Sequence, residues 1–435
     1  MTIHLPTYPP VSVSHALPCE VAITPLWRPL HEVTMVAPVA TTGFLNAVTR
    51  LFLRGMLLCL TWLSLPNENH AQSGSPWRFS GRATGLFALV SEDFSPKQTS
   101  LQRMTVQLNA AWRSDGRLSA FASLHNHLYT GQWLNDYPGY SFLSFNRYDR
   151  FDLTTSWHDN TRALAFSRLD RAYIDYSGRS FEVRLGRQLI GWGQTLIWNI
   201  SDIFNTYSLL EIDRMPRQGT DAIRLMTYPS AASVFEVAAT LNAYNELTAA
   251  AMFRHSFRGI DLQWQTGLVE SSQWMAGGGF STHRGITGLR GECGLFVPLQ
   301  NHPTKKNIVM VALGADHVFR NKLIVQGEVL YNQMHFEDTA GPLTRLYRSH
   351  SAPYMLSLST WSLSLNAIYP VRNRLRLVLM TAAFTDDKML MMSPSLQWQW
   401  TQNTELSIEG QYIALEYQKQ RKQLKAGMIR LTHRF

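Results

Sequence analysis

The stretch of sequence that decides the fold lies at residues 104–113 and reads MTVQLNAAWR. Every second side chain in it is apolar, namely Met104, Val106, Leu108, Ala110 and Trp112. The positions between them are mainly polar, and the next four residues, SDGR at 114–117, have the composition of a tight turn. This alternation has a period of two residues, which predicts a β-strand with one apolar and one polar face.

The same alternation returns along the chain, for example at 181–186, 260–268, 323–332, 361–366, 396–400 and 406–412. Short connections rich in Gly, Asn, Asp, Pro and Ser separate these stretches at 114–117, 177–179, 229–232, 258–259, 283–285, 320–321, 372–373 and 402–403. A second set of connections includes all the large excursions and falls at 91–99, 129–160, 190–220, 242–246, 270–273, 299–305, 333–353, 385–388 and 415–423. Short and longer connections alternate along the chain, so that each kind would lie at its own end of the sheet. This pattern predicts a meander of about eighteen strands, with both termini at the same end.

Composition narrows the class of protein. Charged residues make up 16% of the chain and hydrophobic residues 45%, a balance that excludes a disordered polymer. No run of 18 uncharged apolar residues occurs and the mean hydropathy is −0.14, which disfavours a bundle of transmembrane helices. The net charge of +9 is dispersed along the chain and forms no nucleic-acid footprint.

Strands with one side facing lipid and the other facing water would explain why the chain alternates, carries little charge and has no long apolar run. In hydrocarbon every backbone N–H and C=O needs an internal partner, so a membrane sheet must close on itself. We therefore predict an all-β fold, a transmembrane antiparallel up-and-down β-barrel of about 18 strands, with 16 or 14 also possible. A girdle at the lipid interface would account for Trp77, Trp112, Trp264, Trp361, Trp398 and Trp400. A soluble sandwich or propeller is the alternative.

The N-terminal region has the pattern of a targeting segment. Residues 51–65 read LFLRGMLLCLTWLSL, in which Arg54 precedes an apolar stretch at about 55–65 that is too short to cross a bilayer. Pro66 follows, and Ala71 is a suitable small residue at a cleavage point. We expect residues 1–71 to be an N-terminal extension plus signal peptide, and 72–435 to be a single barrel. A short buried helix is the alternative interpretation of 51–65.

The last strand carries a family resemblance. Residues 428–435 read MIRLTHRF, with Ile429, Leu431 and Phe435 on one face. This resembles the C-terminal strand of Gram-negative outer-membrane β-barrel proteins, in which the terminal aromatic residue is a signal for the barrel assembly machinery. The segments LGRQLIGWG at 185–193 and WNISDIFN at 198–205 resemble a strand-to-loop signature of porin-like outer-membrane proteins. The resemblance implies an outer-membrane location, contact with outer-membrane lipid and a channel for passive diffusion of small polar or charged solutes.

The polar faces of the strands give the candidate pore lining. A charged side chain costs about 2–4 kcal/mol when it faces the centre of the bilayer, so these residues are assigned to the lumen. One side of the lumen would hold Arg103, Arg113, Arg171, Asp175, Glu182, Arg184, Gln188 and Arg224. The other side would hold Glu328, Arg374, Arg376, Glu409 and Arg430. Such charges would orient polar solutes by a transverse field; alternatively, they pair with one another inside a filled lumen.

The connection at 190–220 is the candidate constriction because a connection of about thirty residues is usually functional. Its candidate residues are Trp192, Trp198, Asp202, Asp213, Arg214 and Arg217. Folded inward, this loop would narrow the pore, and folded outward it would cap the barrel. The sequence leaves both options open.

One strand departs from strict alternation. Arg168 and Asp170 would share a face with Ala172, Ile174 and Tyr176. A β-bulge near Asp170 would restore the pattern, because a bulge inserts one extra residue into a strand.

Other functions have weaker support. His125 and His127 share one strand face, but no third ligand accompanies them, so we expect no metal site and no cofactor. No nucleophile motif such as GxSxG occurs, so we expect no enzyme, and an outer-membrane hydrolase is the least favoured hypothesis. A structural sleeve around a lumenal protein partner and an oligomer both remain open.

Overall fold

The computed structural model describes residues 75–93, 95–114, 116–136, 149–205, 217–299, 306–333, 353–357, 359–386, 388–417 and 420–435. They belong to one unit, Cys59–Phe435. The expected signal peptide, the cleavage point after Ala71 and two of the candidate constriction residues, Asp213 and Arg214, lie outside the described residues.

Nineteen strands and one short helix build the described part of the chain. In chain order the strands are β1 Trp77–Glu92, β2 Ser95–Arg113, β3 Leu118–Thr130, β4 Thr154–Asp159, β5 Ala163–Ser177, β6 Phe181–Gln188, β7 Thr220–Ser230, β8 Ser233–Leu241, β9 Leu247–Phe257, β10 Ile260–Val269, β11 Gln273–Arg284, β12 Thr287–Pro298, β13 Ile308–Val318, β14 Ile324–Asn332, β15 Trp361–Arg372, β16 Leu375–Phe384, β17 Met389–Gln399, β18 Thr404–Tyr417 and β19 Gln420–Arg434. The helix α1, Gln132–Asp136, follows β3. None of the described helices is long and apolar enough to cross a membrane.

The sheet closes on itself as a barrel of eighteen strands. Its first and last strands pair antiparallel, from Arg82 opposite Arg434 to Glu92 opposite Leu424. The nineteenth strand, β4, is short and pairs with residues 164–168 of β5, beyond the part of β5 that pairs with β6. The prediction of a closed antiparallel barrel of about eighteen strands is therefore confirmed.

The two faces of the wall differ as the alternation predicted. Leu185, Ile223 and Ile408 are more than half exposed on the outer face, where lipid would cover them. The polar side chains that alternate with such outer-face residues point inward. Gln263, for example, is 1% exposed and Ser362 is fully buried. Five of the six tryptophans assigned to the girdle are 44–53% exposed, and the ring centroid of the sixth, Trp112, lies 6.4 Å from that of Trp77.

The two ends of the barrel are unlike. One end carries the tight connections, such as 258–259 and 285–286, and both Trp77 and Phe435; we call it the turn end. The opposite end carries the larger connections, such as 189–219, and we call it the loop end. The two ends serve below as the reference points for describing where a residue lies along the barrel axis.

Two segments that the sequence predicted as loops, 91–99 and 415–423, are mostly strand in the structure. Strands β1 and β2 pair as far as Glu92 opposite Ser95, through most of the expected loop at 91–99. Strands β18 and β19 pair as far as Tyr417 opposite Gln420, through the expected loop at 415–423. The strands β18, β19, β1 and β2 are consecutive neighbours in the sheet. Each therefore finds backbone hydrogen-bond partners on the next strand, and the ladders continue through residues that were expected to be loops. The polar residues at the tips of these two hairpins show that the tips are exposed to solvent; they do not mark where the strands end.

The predicted β-bulge is confirmed. In the β3–β5 pair, Ser123 lies opposite Arg171 and Leu124 lies opposite Leu169, which leaves Asp170 as the extra residue. The bulge turns Arg168 toward the inside, opposite His125, while Ile174 stays on the outer face.

Candidate functional site

The chain leaves the wall after Gln188 and runs into the interior of the barrel. We call residues 190–205 the inner segment. Its apolar side chains are at most 5% exposed, namely Ile190, Trp192, Trp198, Ile200 and Ile203. They pack in one cluster with inward-facing wall residues such as Met275, Phe296 and Leu330. The question that the sequence left open is answered: the described part of this loop folds inward.

Two wall carboxylates hold the backbone of the inner segment. Glu292 on β12 accepts hydrogen bonds from the N–H groups of Thr195 and Ser201, both at 2.8 Å, and from that of Gln194. These contacts fix both ends of the turn at 194–201. Because backbone N–H groups at this depth need partners, the carboxylate supplies what a strand neighbour would otherwise provide.

Glu328 on β14 holds the middle of the same turn. It accepts hydrogen bonds from the N–H groups of Leu196 at 3.0 Å, Ile197 at 3.2 Å and Trp198 at 2.7 Å. Glu328, a residue of the predicted pore lining, faces inward, but it lies against the inner segment and binds its backbone. Glu292 was missed, although its position between inward-facing Arg290 and Gly294 follows the same alternation.

A third carboxylate anchors the start of the inner segment. Glu236 on β8 accepts the indole N–H of Trp192 at 2.6 Å and a two-pronged ion pair from Arg224 at 2.5 and 2.7 Å. On β10, the side chain of Gln263 donates to the Trp192 carbonyl at 2.8 Å. The inner segment is therefore attached to β8, β10, β12 and β14, an arc of the wall that begins two strands away from β6.

Asp202 of the inner segment makes contacts within the segment and an ion pair with Arg217, which lies just before β7. Asp202 accepts hydrogen bonds from the N–H groups of Trp192 at 2.5 Å and Gly193 at 2.7 Å, and its second oxygen pairs with Arg217. The structure thus brings together four of the six candidate constriction residues, Trp192, Trp198, Asp202 and Arg217. These contacts hold the backbone of the segment in place, since the segment has no strand or helix of its own.

Glycines make room for the inner segment on the wall. A Cβ added to Gly294 would lie 2.7 Å from Cγ2 of Ile200, and one added to Gly279 would lie 3.3 Å from Cγ of Gln194. Within the glycine run at 277–279, Gly279 thus packs against the segment, whereas Gly277 and Gly278 pack against neighbouring strands.

Replacing Gly294 by valine should dislodge the inner segment. Overpacking of this kind costs about 1–3 kcal/mol, and we expect the urea midpoint of the refolded barrel to fall accordingly. Gly427→Val is the matched control because Gly427 lies in a strand with no atom within 4 Å of an added Cβ. Equal shifts of the midpoint in both variants would contradict the prediction.

The other candidate pore residues differ in depth. Arg103 and Gln188 are buried, whereas Arg113, Arg374 and Arg376 are exposed at or near the turn end. The rest are partly buried, namely Arg171, Asp175, Glu182, Arg184, Arg224, Glu409 and Arg430. Several form ion pairs: Arg184 with Asp175 at 2.5 Å, Arg430 with Glu409 at 3.3 Å and Arg376 with Glu405 at 3.4 Å. Local pairing therefore accounts for part of this set.

An ion cluster closes the wall where the inner segment departs. Arg187, 3% exposed, binds Asp221 through two hydrogen bonds of 2.8 and 2.9 Å and the Phe151 carbonyl at 2.5 Å. Asp149, in the loop-end connection before β4, lies 3.5 Å from the same guanidinium. Burial raises the pKa of Asp149 to about 7, against the opposing effect of Arg187.

This shift predicts a pH dependence of stability. The folded-state pKa of Asp149 lies above its ordinary value of 3.8, so the folded state holds the proton more tightly than the unfolded chain. The resulting stabilisation is complete below the ordinary value and is lost as the pH rises through about 7. Between these limits the free energy of unfolding should fall by at most about 1.4 kcal/mol per pH unit. Urea titrations across this range should show a shallower slope for Asp149→Asn; an unchanged slope would contradict the assignment.

The two histidines that share a strand face, His125 and His127, lie in the inner wall. His125 lies 3.2 Å from Ser123 Oγ, and Nδ1 of His127 lies 3.2 Å from Thr105 Oγ1. The His127 ring stacks on Phe166 with centroids 4.7 Å apart. Among the described residues, no group of three or more His, Cys, Asp or Glu side chains could hold a metal ion.

Comparisons with known proteins give relatives by fold. No protein-family model and no curated protein matches the sequence. Solved structures do match. OccK11 (OpdR) of Pseudomonas aeruginosa aligns with a TM-score of 0.54 and 11% identity over 82% of this chain and 96% of its own. OccAB3 of Acinetobacter baumannii aligns with a TM-score of 0.57 and 10% identity over 82% and 99%.

A third match is OpdK of Pseudomonas aeruginosa with vanillate, which aligns with a TM-score of 0.54 and 10% identity over 82% of this chain and 98% of its own. All three are outer-membrane porins with the same barrel architecture. At these identities the likeness concerns the fold. The chain is accordingly a closed eighteen-stranded transmembrane β-barrel with the fold of Gram-negative outer-membrane porins.

Proposed function

We propose that this protein is an outer-membrane channel through which small polar or charged solutes diffuse passively. The observation that carries the proposal is the inner segment, which is attached to wall carboxylates in the interior of a barrel whose inward faces are polar. A segment in this place leaves a narrower water-filled path and filters solutes by size and charge. No energy source is required.

The proposed location is the outer membrane of a Gram-negative bacterium. The apolar outer face and the interfacial tryptophans fit a bilayer, and the fold is that of outer-membrane porins. In such barrels short turns face the periplasm and longer loops face outward. We therefore assign the turn end to the periplasm and the loop end to the cell exterior.

We propose that the channel admits anionic solutes. Arg171 lies on β5, Arg184 on β6 and Arg224 on β7, so that basic side chains follow neighbouring strands. Each has a carboxylate neighbour, but the side chains of Arg171 and Arg184 remain 30% and 23% exposed. OpdK was crystallised with vanillate, an organic anion. We include small organic anions among the proposed solutes for these two reasons, and we keep the partly exposed members of the predicted pore lining as the residues that would contact them.

Planar-bilayer recordings of the refolded protein test this function. Discrete ohmic conductance steps are expected, with a reversal potential in a salt gradient that shows anion preference. A sealed bilayer together with a co-purifying protein would instead support a sleeve around a partner. Detergent-dependent ester hydrolysis would favour a hydrolase.

Phe435 remains our proposed signal for the assembly machinery. Its backbone closes the barrel through Gly81, with Gly81 N–H donating to the Phe435 carbonyl at 2.8 Å and Phe435 N–H donating to the Gly81 carbonyl at 3.1 Å. Phe435→Ala should retain these backbone bonds. We expect it to refold in detergent nearly as well as the natural chain but to accumulate poorly in outer membranes. Equal accumulation in cells would contradict a signalling role.

A further inference from the structure

Basic side chains concentrate at the turn end of the barrel. On the consecutive strands β9 to β16, the turn-end residues include Arg258, Arg284, Arg320, Lys322, Arg372 and Arg374, all exposed. The rest of this end adds Arg78, Arg113, Arg117, Arg179 and Arg434, also exposed. We call these eleven residues the basic collar. It includes Arg113 and Arg374, which the sequence analysis assigned to the lumen.

Few carboxylates accompany the collar. The connections between strands at this end contain one acidic residue in the sequence, Asp115, and the nearest strand ends add Glu182, Asp261 and Glu405. Within the described residues, no collar side chain forms an ion pair with a carboxylate. At the loop end, acidic residues such as Glu92, Asp93 and Asp386 accompany the basic ones. The turn end therefore carries a ring of cations that have no ion pair among the described residues.

Aromatic neighbours fix the height of the collar relative to the bilayer. Trp77, Trp112, Phe257 and Phe319 each directly precede a collar arginine, and Phe435 directly follows one. Four of these five rings are exposed on the outer face, and the Arg258 guanidinium lies 5.1 Å from the centroid of Phe257. Aromatic girdles mark the boundary between hydrocarbon and headgroups. A cation one residue from such a ring lies at the height of lipid phosphates. Within the strands, Arg78, Arg113 and Arg434 alternate with the outer-face rings and point to the lumenal side of the rim. The basic residues in the hairpin connections, such as Arg258 and Arg320, are therefore the ones placed to reach the lipid.

We propose that the basic collar binds the headgroups of anionic phospholipids in the membrane leaflet at the turn end. Long Lys and Arg side chains can keep their stems on apolar surface while the charged ends reach the headgroups. A ring of such side chains would enrich phosphatidylglycerol or cardiolipin around this rim and fix the barrel's height. The proposal depends on the transmembrane placement and not on conduction through the lumen.

Lipid-specific quenching of tryptophan fluorescence tests the collar. The full barrel is reconstituted in phosphatidylcholine vesicles that contain either brominated phosphatidylglycerol or brominated phosphatidylcholine, so that quenching of tryptophans such as Trp77 and Trp398 reports which lipid lies next to the wall. An attraction of about 1 kcal/mol per basic residue corresponds to about fivefold preference for the anionic lipid at low salt. The preference should decline toward unity in 0.5 M salt, because the screening length falls below about 5 Å.

Matched variants separate the collar from net charge. The collar variant combines Arg258→Gln, Arg284→Gln, Arg320→Gln and Lys322→Gln. The control variant removes four basic residues away from the turn end, by Arg162→Gln, Lys306→Gln, Arg421→Gln and Lys425→Gln. We expect the collar variant to lose most of the preference and the control to keep it, with both showing the natural strand content by circular dichroism.

A third variant replaces the three collar arginines at 258, 284 and 320 by lysine and should retain the preference. Equal quenching by the two lipids in the natural protein would overturn the proposal. So would an equal loss in the collar and control variants, which would indicate a diffuse effect of net charge.

Discussion

Replacing Glu292 and Glu328 together by alanine is expected to release the inner segment and to raise the single-channel conductance severalfold. Six backbone N–H groups in 194–201 depend on these two carboxylates: three donate to Glu292 and three to Glu328. A buried N–H that loses its acceptor costs about 1–3 kcal/mol. The docked conformation would then lose most of its advantage over conformations in which the segment moves in the lumen.

Single glutamine variants should raise the conductance less than the double alanine variant, because glutamine keeps one hydrogen-bond acceptor. Glu292→Gln and Glu328→Gln each keep one carbonyl oxygen but lose the charge and the second oxygen, so we expect an intermediate increase in conductance and more frequent transitions between open levels. Glu416→Ala is the control, because Glu416 lies near the loop-end tip of β18, outside the predicted pore lining, where it pairs with the exposed Lys388. Unchanged conductance in the double alanine variant, with a normally folded barrel, would show that the segment does not limit the channel.

The sequence predicted the wall of this barrel well because one physical requirement acts on every strand. Lipid outside and water inside impose a period of two residues, and the register of each hairpin is set by a short turn. The bulge at Asp170 could be predicted for the same reason: Arg168 would otherwise have faced lipid, at a cost that a single extra residue removes. Strand ends were less certain, since β18 and β19 continue into polar sequence that the lipid no longer constrains.

The interior could not be predicted in the same way. The inner segment has no periodic pattern, and its direction depends on partners that lie far away in sequence, such as Glu292 and Glu328, about one hundred residues beyond it. Alternation places a carboxylate on the inner face but does not say whether it meets water, an arginine or a backbone N–H. A useful indication was present in β12, where Glu292 lies two residues before Gly294 on the same inward face. A charge beside a small inward residue marks a place where another backbone can approach closely.

Arg187→Gln is expected to lower the free energy of unfolding by about 3–5 kcal/mol, the usual cost of removing one partner from a buried ion cluster. Arg187 joins the end of β6, where the chain turns inward, to Asp221 at the start of β7, where it returns. The variant would leave the carboxylates of Asp221 and Asp149 buried without their common cation. Arg187→Lys should recover only part of the loss, because an ammonium cannot form the two-pronged contact with Asp221.

Two comparisons isolate this effect in urea titrations of the refolded barrel. Arg376→Gln breaks an ion pair whose arginine side chain is 50% exposed, and it should cost no more than about 1 kcal/mol. Adding Asp149→Asn to Arg187→Gln should restore part of the lost stability, because it removes the charge of one of the two carboxylates that share the Arg187 guanidinium. If Arg187→Gln costs no more than Arg376→Gln, or if Asp149→Asn makes it worse, the junction is held by the surrounding backbone and not by the guanidinium. The two strands would then stay paired through the ladder from Phe181 opposite Thr227 to Gln188 opposite Thr220, with the inner segment unaffected by the charge.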